Sequence, residues 1–416
     1  MQPTRMRWAV LGALFLFSVM TYLDRVAIGN VKTPLTEDLG LTNAQMGYVF
    51  SAFTLAYGVF EIPTGWLGDR FGPRRVLTHL VVWWSVLTAL TGVVGSFIWL
   101  LVVRFIFGGL QAGAYPNATC VIRSWFPADE RGRGQGVIWM AASVGGALTP
   151  FIVQPILNNY GWRAVFYIFS VFGLVWAAFW HRWFRDNPRH KEGVNAAELK
   201  RIGPPAPVAP HGNFLHMLRS PNMWYIIAMY HISVYGSYWY IFWLPSYLVE
   251  SKGLVDFAPY VAMPFIIGAV FNYLGGHTVD ILVKKIGLKW ARRGVGLSAG
   301  IVSATCILIS IHVEDIMSVM LLLTLGYSAI QFGLPNSWAV CLDVGRDYVG
   351  SVSGAMNTAG QIGGTIASTA IGYAIDAYGW DVPLYGVAAV YLIGSLFWLG
   401  IDPHKPVIPG PQTASA

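Results

Sequence analysis

Apolar runs of about 20 residues recur along this chain between residues 8 and 403, and no other feature restricts its fold so strongly. Wound as helices, runs of that length match the hydrocarbon thickness of a bilayer. Lipid offers no hydrogen-bond partner to an irregular backbone, so the runs are expected to be helices. They are too long and continuous for the alternating strands of an outer-membrane barrel. Charge points to the same solvent. Of the 416 residues, 11% are Asp, Glu, Lys or Arg, against roughly 25% in a soluble protein. That is too little to cover a water-facing surface.

Spans are expected near 8–31, 43–67, 76–98, 99–125, 132–158, 162–184, 221–249, 256–283, 292–312, 315–341, 349–376 and 382–403. Twelve spans place both termini on one side. With that side cytoplasmic, 22 of the 27 Lys and Arg fall there, including Arg70, Arg74, Arg75, Arg131 and Arg133. Lys32, Arg163 and Lys252 fall opposite, and Arg25 and Arg104 lie within the membrane. The positive-inside rule then fixes cytoplasmic termini. Topology thus accounts for the net charge of +7, with no need of a nucleic-acid partner. Arg5 and Arg7 before an apolar core look like a signal peptide, but the segment is long and carries Asp24 and Arg25, so it is expected to be retained. Cys120, Cys306 and Cys341 have neither disulfide nor metal spacing.

One long polar connection, 185–220, contains RDNPRHKEG and GPPAPVAPHG and reads as a cytoplasmic linker. It separates a six-helix half, 1–184, from another, 221–404, with a tail at 405–416. The halves repeat. Gly145-Gly146 recurs as Gly363-Gly364 and Tyr160-Gly161-Trp162 as Tyr378-Gly379-Trp380, both 218 residues later, while Pro116-Asn117 recurs as Pro335-Asn336 after 219. The expected architecture is all-α, with two pseudo-symmetric six-helix bundles from a parallel duplication and a substrate site between the halves. The glycine-rich stretches serve close helix packing, or a seam at which one bundle rocks.

The first span carries TYLDRVAIGN, Thr21 to Asn30. Each charge at a helix centre costs about 2.5–3.5 kcal/mol on the insertion scale. Neighbours on a helix point about 100° apart, so Asp24 and Arg25 need separate partners. Arg25 shares a stripe with Ser18, Thr21, Tyr22 and Gly29, as expected of a cavity wall, while Asp24 faces the side of Met20 and Ile28. A charge pair with another helix is one reading; a substrate or ion site is the other, favoured because ionisable groups in spans mark pathways. In the fourth span Arg104, Gly108, Gln111 and Tyr115 fall on one face. Arg is permanently charged and its fork fits carboxylate or phosphate. Arg25 and Arg104 together therefore read as an anion site.

Other candidates are weaker. Glu61 reads as a structural partner of a loop arginine or as a titrating group. His231, in an aromatic helix with Tyr225, Tyr230, Tyr235, Tyr238, Trp239, Tyr240 and Trp243, reads as a structural, hydrogen-bonded histidine or as part of a wall facing the arginines. Asn272, Gln331, Asn336, Asn357 and Gln361 supply neutral hydrogen bonds to substrate or between helices.

The stretch GWLGDRFGPRR, Gly65 to Arg75, with its fainter echo GGHTVDILVKKIG at Gly275 to Gly287, resembles the loop signature of the major facilitator superfamily. Within it, YLDR, RFIFGGLQAGAYPN and SWFPADERGRGQG resemble the anion:cation symporter family of organic-anion carriers, often proton-coupled. The resemblance implies that Arg25 and Arg104 bind or gate a substrate carboxylate and that Asp24 takes up a proton. It also implies that Asp69, Arg70, Glu130 and Arg131 form a cytoplasmic latch. Gln111 stands where proton-coupled members commonly carry Glu, and an amide cannot take up a proton, so coupling rests on Asp24 or is replaced by uniport, exchange or sodium coupling.

The expectation is a monomeric secondary transporter in a bacterial inner membrane, without cofactor, carrying a sugar acid by proton symport and alternating access. The substrate contacts are Arg25, Arg104, Gln111, Tyr22, Tyr115, Tyr238, Asn336 and Asn357, with Glu61 joining the gate. An aromatic or dicarboxylic acid is the alternative substrate. A transporter-like sensor is disfavoured by the modest linker, and a membrane enzyme by the lack of an HExxH, GxSxG or P-loop motif.

Overall fold

The computed structural model describes residues 2–127, 130–203, 217–345 and 348–407. Part of the expected linker, 204–216, and the tail from 408 lie outside them. The described residues are helical, with no strand. They are α1 (Met6–Asn30), α2 (Lys32–Leu39), α3 (Asn43–Phe71), α4 (Pro73–Thr91), α5 (Phe97–Gln111), α6 (Ala114–Trp125), α7 (Arg131–Trp183) and α8 (Ala196–Ile202). There follow α9 (Pro221–Tyr238), α10 (Ala258–Ile286), α11 (Leu288–Ile311), α12 (Ile316–Gly345), α13 (Val349–Tyr378) and α14 (Asp381–Phe397). Beyond α9 the chain stays helical through two π-helical turns, Trp239–Trp243 and Tyr247–Ser251.

Three of these helices depart from one helix per span. α7 has 53 residues, about 80 Å at 1.5 Å per residue and far more than a bilayer needs. Its helix is broken at Gly161, with φ +77°, so it supplies two spans. α5 and α6 together make one span, interrupted at Ala112–Gly113. The twelve expected spans are all present among the described residues. Seven helices meet the length and apolarity of a membrane span outright. α3 and α13 are long enough but diluted by Gly, Ser, Thr and amide residues.

The chain divides into two compact units, Met1–Pro207 with Val255–Ala262, and Val208–Leu254 with Met263–Ala416. In the first, α1 packs on α7, α3 on α5, and α4 on α7 and α5. In the second, α9 packs on α13, and α11 on α12 and α14. Phe17, Trp84, Trp176 and Trp180 fill the first core, with Phe17 4.9 Å from Trp176 and Trp176 stacked on Trp180. Outward positions such as Leu16, Val59, Trp83, Ile98 and Val175 are apolar and exposed, the inverse of a water-soluble surface.

The repeat is a repeat of backbone geometry. Gly161 and Gly379, 218 apart, both adopt left-handed φ, +77° and +81°, which any side chain would strain. Gly145 on α7 lies so close to α1 that a Cβ would meet the Val19 carbonyl oxygen at 2.5 Å. Gly363 on α13 does the same to the His231 carbonyl on α9, at 2.2 Å. Local chemistry sets the ends: Thr42 and Gln45 form a reciprocal capping box at the start of α3, and Pro73 and Pro221 open α4 and α9.

Candidate functional site

In the first unit, a close crossing of α3 and α5 creates the site. A Cβ on Gly108 would stand 2.3 Å from the Phe53 carbonyl oxygen, so only glycine lets the helices approach this far. One turn before Gly108, Arg104 packs its guanidinium carbon 4.3 Å from the Phe107 ring centroid and 5.2 Å from that of Phe53. Arg25, from α1, lies 5.4 Å from the same Phe53 ring, 4.7 Å from Tyr57 and 5.1 Å from Tyr22. One aromatic ring thus serves two cations. Cation–π contacts soften the cost of holding like charges together in a water-poor interior. Arg25 is 5% exposed, Arg104 2% and Asp24 3%.

The three charges have different partners. Arg25 donates from Nε to Gln111 Oε1 at 3.0 Å, and Gln111 donates from Nε2 to the Thr21 carbonyl at 3.1 Å. Gln111 therefore bolts α5 to α1 and fixes one edge of the Arg25 fork. Asp24 faces the charge of Arg104. Among the described residues, neither Asp24 oxygen accepts a hydrogen bond, and Arg104 Nε and Nη2 donate none. A buried guanidinium with open donors favours an incoming anion. Tyr115, on α6, stacks on Trp139 at 4.7 Å and 6°, and meets the edge of Tyr22 at 6.5 Å. Its hydroxyl is 3.1 Å from Ser18 Oγ, which donates to the Ile138 carbonyl at 2.8 Å. Tyr22, Asp24, Arg25, Arg104, Gln111 and Tyr115 are thus gathered in one cluster.

The second unit holds the remaining expected contacts. Tyr238 donates to Gln361 Oε1 at 2.8 Å and stacks on Phe242. Asn357 lies half-buried on α13. Asn336 is already engaged: it accepts from Arg292 Nη1 at 3.3 Å and donates to the Arg292 carbonyl at 2.8 Å. Its counterpart Asn117 donates from Nδ2 to the Thr64 and Gly113 carbonyls. His231 bonds through Nδ1 to the Ala359 carbonyl at 3.0 Å.

The four residues expected in the loop latch take the following partners. Asp69 pairs with Arg123 at 2.7 Å, while Arg70 packs over Trp66 and Phe71. Arg131 donates to the Phe126 and Arg123 carbonyls. Glu130 pairs with Arg7 at 2.8 Å and Arg201 at 3.0 Å. Adjacent residues on a helix diverge, so Asp69 and Glu130 take arginines from other segments rather than their neighbours. Glu61 sits half-buried on α3, two residues before Pro63. A further acid, Glu198 on α8, is fully buried and accepts from the Met6 and Arg7 backbone N–H groups at 2.9 and 3.1 Å and from Arg7 Nη1 at 3.3 Å. It caps α1 and docks α8 against it.

Hydrogen bonding to Arg7, with that of Arg201 and only partly opposed by burial, holds Glu130 below the usual glutamate range. Its contribution to stability is complete above about pH 4.3 and is lost as pH falls through the lowered folded-state value. Glu130→Gln is expected to cost about 1 kcal/mol at pH 7 and to converge with the wild type in acid. Melting of the detergent-solubilised proteins from pH 7 to 2.5 checks this; equal melting at pH 7 contradicts it.

Sequence reasoning missed Phe53, Tyr57, Trp139, Arg7, Arg123, Arg201 and Glu198. Phe53 and Tyr57 are four apart on α3, a shared face that was legible, but nothing local says which helix meets it.

The family profile described as Major Facilitator Superfamily matches residues 14–368. The chain is 33% identical to the probable sulfoacetate transporter SauU of Cupriavidus necator, over 97% of this chain and 95% of that protein. It is 30% identical to the D-galactonate transporter of Escherichia coli O6:H1, over 96% of each. The probable galactarate/D-glucarate transporter GudP of Bacillus subtilis is also 30% identical, over 91% and 88%. Among solved structures, a bacterial homolog of the human lysosomal transporter Spinster superposes with a TM-score of 0.79 at 19% identity, covering 95% of this chain and 97% of that one.

Proposed function

The chain belongs to the Major Facilitator Superfamily, and on that premise we propose that it carries a sugar acid by proton symport with alternating access. It is a multi-pass membrane transporter of small organic anions rather than an enzyme, in keeping with relatives named for sulfoacetate, galactonate and glucarate. One observation carries the finer reading. Two buried guanidiniums pack on the Phe53 ring, and Arg104 keeps donors that no described residue accepts. Such a pair suits a carboxylate, whose two oxygens match a guanidinium fork. Asp24 is the titratable group of the cluster and carries the coupled proton. The protein works as a monomer in a bacterial inner membrane, with cytoplasmic termini set by the Lys and Arg bias. Glu130 and Asp69 with their arginine partners act in gating.

A second substrate reading is a short sulfonate. The relative named for sulfoacetate supports it, and a guanidinium fork also accepts sulfonate oxygens. Uptake into proteoliposomes separates the two. Labelled galactonate, glucarate, glucuronate, phthalate and sulfoacetate are offered with and without an inward proton gradient. The proposal expects one sugar acid to accumulate only with the gradient. Equilibration without accumulation would remove symport, and uptake of sulfoacetate alone would favour the second reading.

A further inference from the structure

Resting on the reading of an organic-anion carrier, we infer that Tyr115 is a specificity-determining contact that accepts a hydrogen bond from a substrate hydroxyl. It thereby favours polyhydroxylated acids over acids with no hydroxyl. A serine hydroxyl has one hydrogen. Ser18 Oγ lies 2.8 Å from the Ile138 carbonyl, which can only accept, so the Ser18 hydrogen is committed there. The contact between Ser18 Oγ and the Tyr115 hydroxyl at 3.1 Å then has one consistent polarity, with Tyr115 donating. The single phenolic hydrogen is used, and the Tyr115 oxygen presents only lone pairs to anything else.

Its surroundings put that oxygen in the anion site. The Tyr115 ring lies 6.5 Å from that of Tyr22, over which the Arg25 guanidinium carbon sits at 5.1 Å. The ring cannot swing to a new hydrogen-bond arrangement without losing its stack on Trp139, 4.7 Å away and 6° from parallel. Tyr115 is 8% exposed, so water competes poorly for its lone pairs. A carboxylate or sulfonate oxygen has no hydrogen to give and would meet an acceptor with an acceptor. A hydroxyl held near the arginine-bound carboxylate would be rewarded. Ser18 acts through Tyr115 and is a positioning residue.

The test compares D-galactonate with its mono-deoxy and mono-deoxyfluoro analogues and with sulfoacetate, as competitors of labelled galactonate in proteoliposomes. In the wild type, one deoxy position is expected to bind about tenfold more weakly than galactonate, the worth of one neutral hydrogen bond. The fluoro analogue at that position should be no better, because fluorine does not donate. Tyr115→Phe keeps the stack and should erase the discrimination at that position, leaving the deoxy affinity unchanged. Ser18→Ala releases the phenolic hydrogen, and the fluoro analogue should then improve relative to the deoxy one. A merely structural role would weaken all ligands together. Undiminished discrimination in Tyr115→Phe overturns the inference while the carrier reading stands. A wild type that takes sulfoacetate but no hydroxylated acid also overturns it. A wild type that takes none of these anions, nor glucarate, glucuronate or phthalate, removes the carrier reading itself, and the inference with it.

Discussion

Replacing Arg104 by alanine is expected to abolish saturable uptake and to weaken substrate binding by on the order of 10²–10³-fold, the usual loss when one partner of a buried charge pair is truncated. Arg104 is 2% exposed, packs on Phe53 and Phe107, and keeps Nε and Nη2 without an acceptor among the described residues. Arg25→Ala should lose a similar amount, since Arg25 is buried in the same cluster, where Gln111 and three aromatic rings hold its guanidinium. Arg104→Lys keeps the charge but loses the planar fork, so partial binding is expected. Removing Arg104 also strips Asp24 of its countercharge. The double variant Asp24→Asn/Arg104→Ala separates the two effects. Binding restored in the double variant would make Arg104 the counterion of Asp24 and not a substrate contact. Tight binding retained in both single variants would remove the site assignment altogether.

Asp24→Asn should eliminate proton-driven accumulation while sparing exchange of labelled for unlabelled substrate. An inward gradient of one pH unit supports about tenfold accumulation through a one-proton symporter; the variant should stop at equilibration. Asparagine is close to isosteric and fills the same buried volume, but it offers no group to protonate. Gln111 cannot substitute, because its carboxamide bridges Arg25 and the Thr21 carbonyl and carries no exchangeable charge. Full accumulation by Asp24→Asn would move the coupling elsewhere or to another ion.

The apolar runs and the 218-residue repeat could be read before any coordinates, because lipid enforces helix and glycine enforces geometry. Gly161 and Gly379 share a left-handed turn, and Gly145 and Gly363 share a close crossing. The stripe bearing Arg104, Gln111 and Tyr115 was also legible as one face. Its members nevertheless take different partners. The helix is interrupted after Gln111, and Arg104, Gln111 and Tyr115 meet Phe53, Arg25 and Ser18 respectively. Such assignments depend on which helices cross, and periodicity reports only the face. The loops were the least legible part. Arg7 and Glu130 are 123 positions apart, and Arg7 and Glu198 191 apart. Any acid near any arginine looks alike at that distance, so the sequence could nominate Asp69, Arg70, Glu130 and Arg131 for a loop network but could not name Arg123, Arg7 and Arg201 as partners.

The central claim is that the first unit recognises the anionic head of its substrate through Arg25 and Arg104. Equilibrium competition on the detergent-solubilised wild type tests it most directly, with labelled D-galactonate displaced by unlabelled galactonate or by galactitol, the neutral polyol of the same length. Displacement is expected by galactonate and not by galactitol at a hundredfold higher concentration, about 2.7 kcal/mol of discrimination by charge. Displacement by galactitol at concentrations comparable with galactonate would mean that the protein reads hydroxyls and not the anion, and would contradict the account.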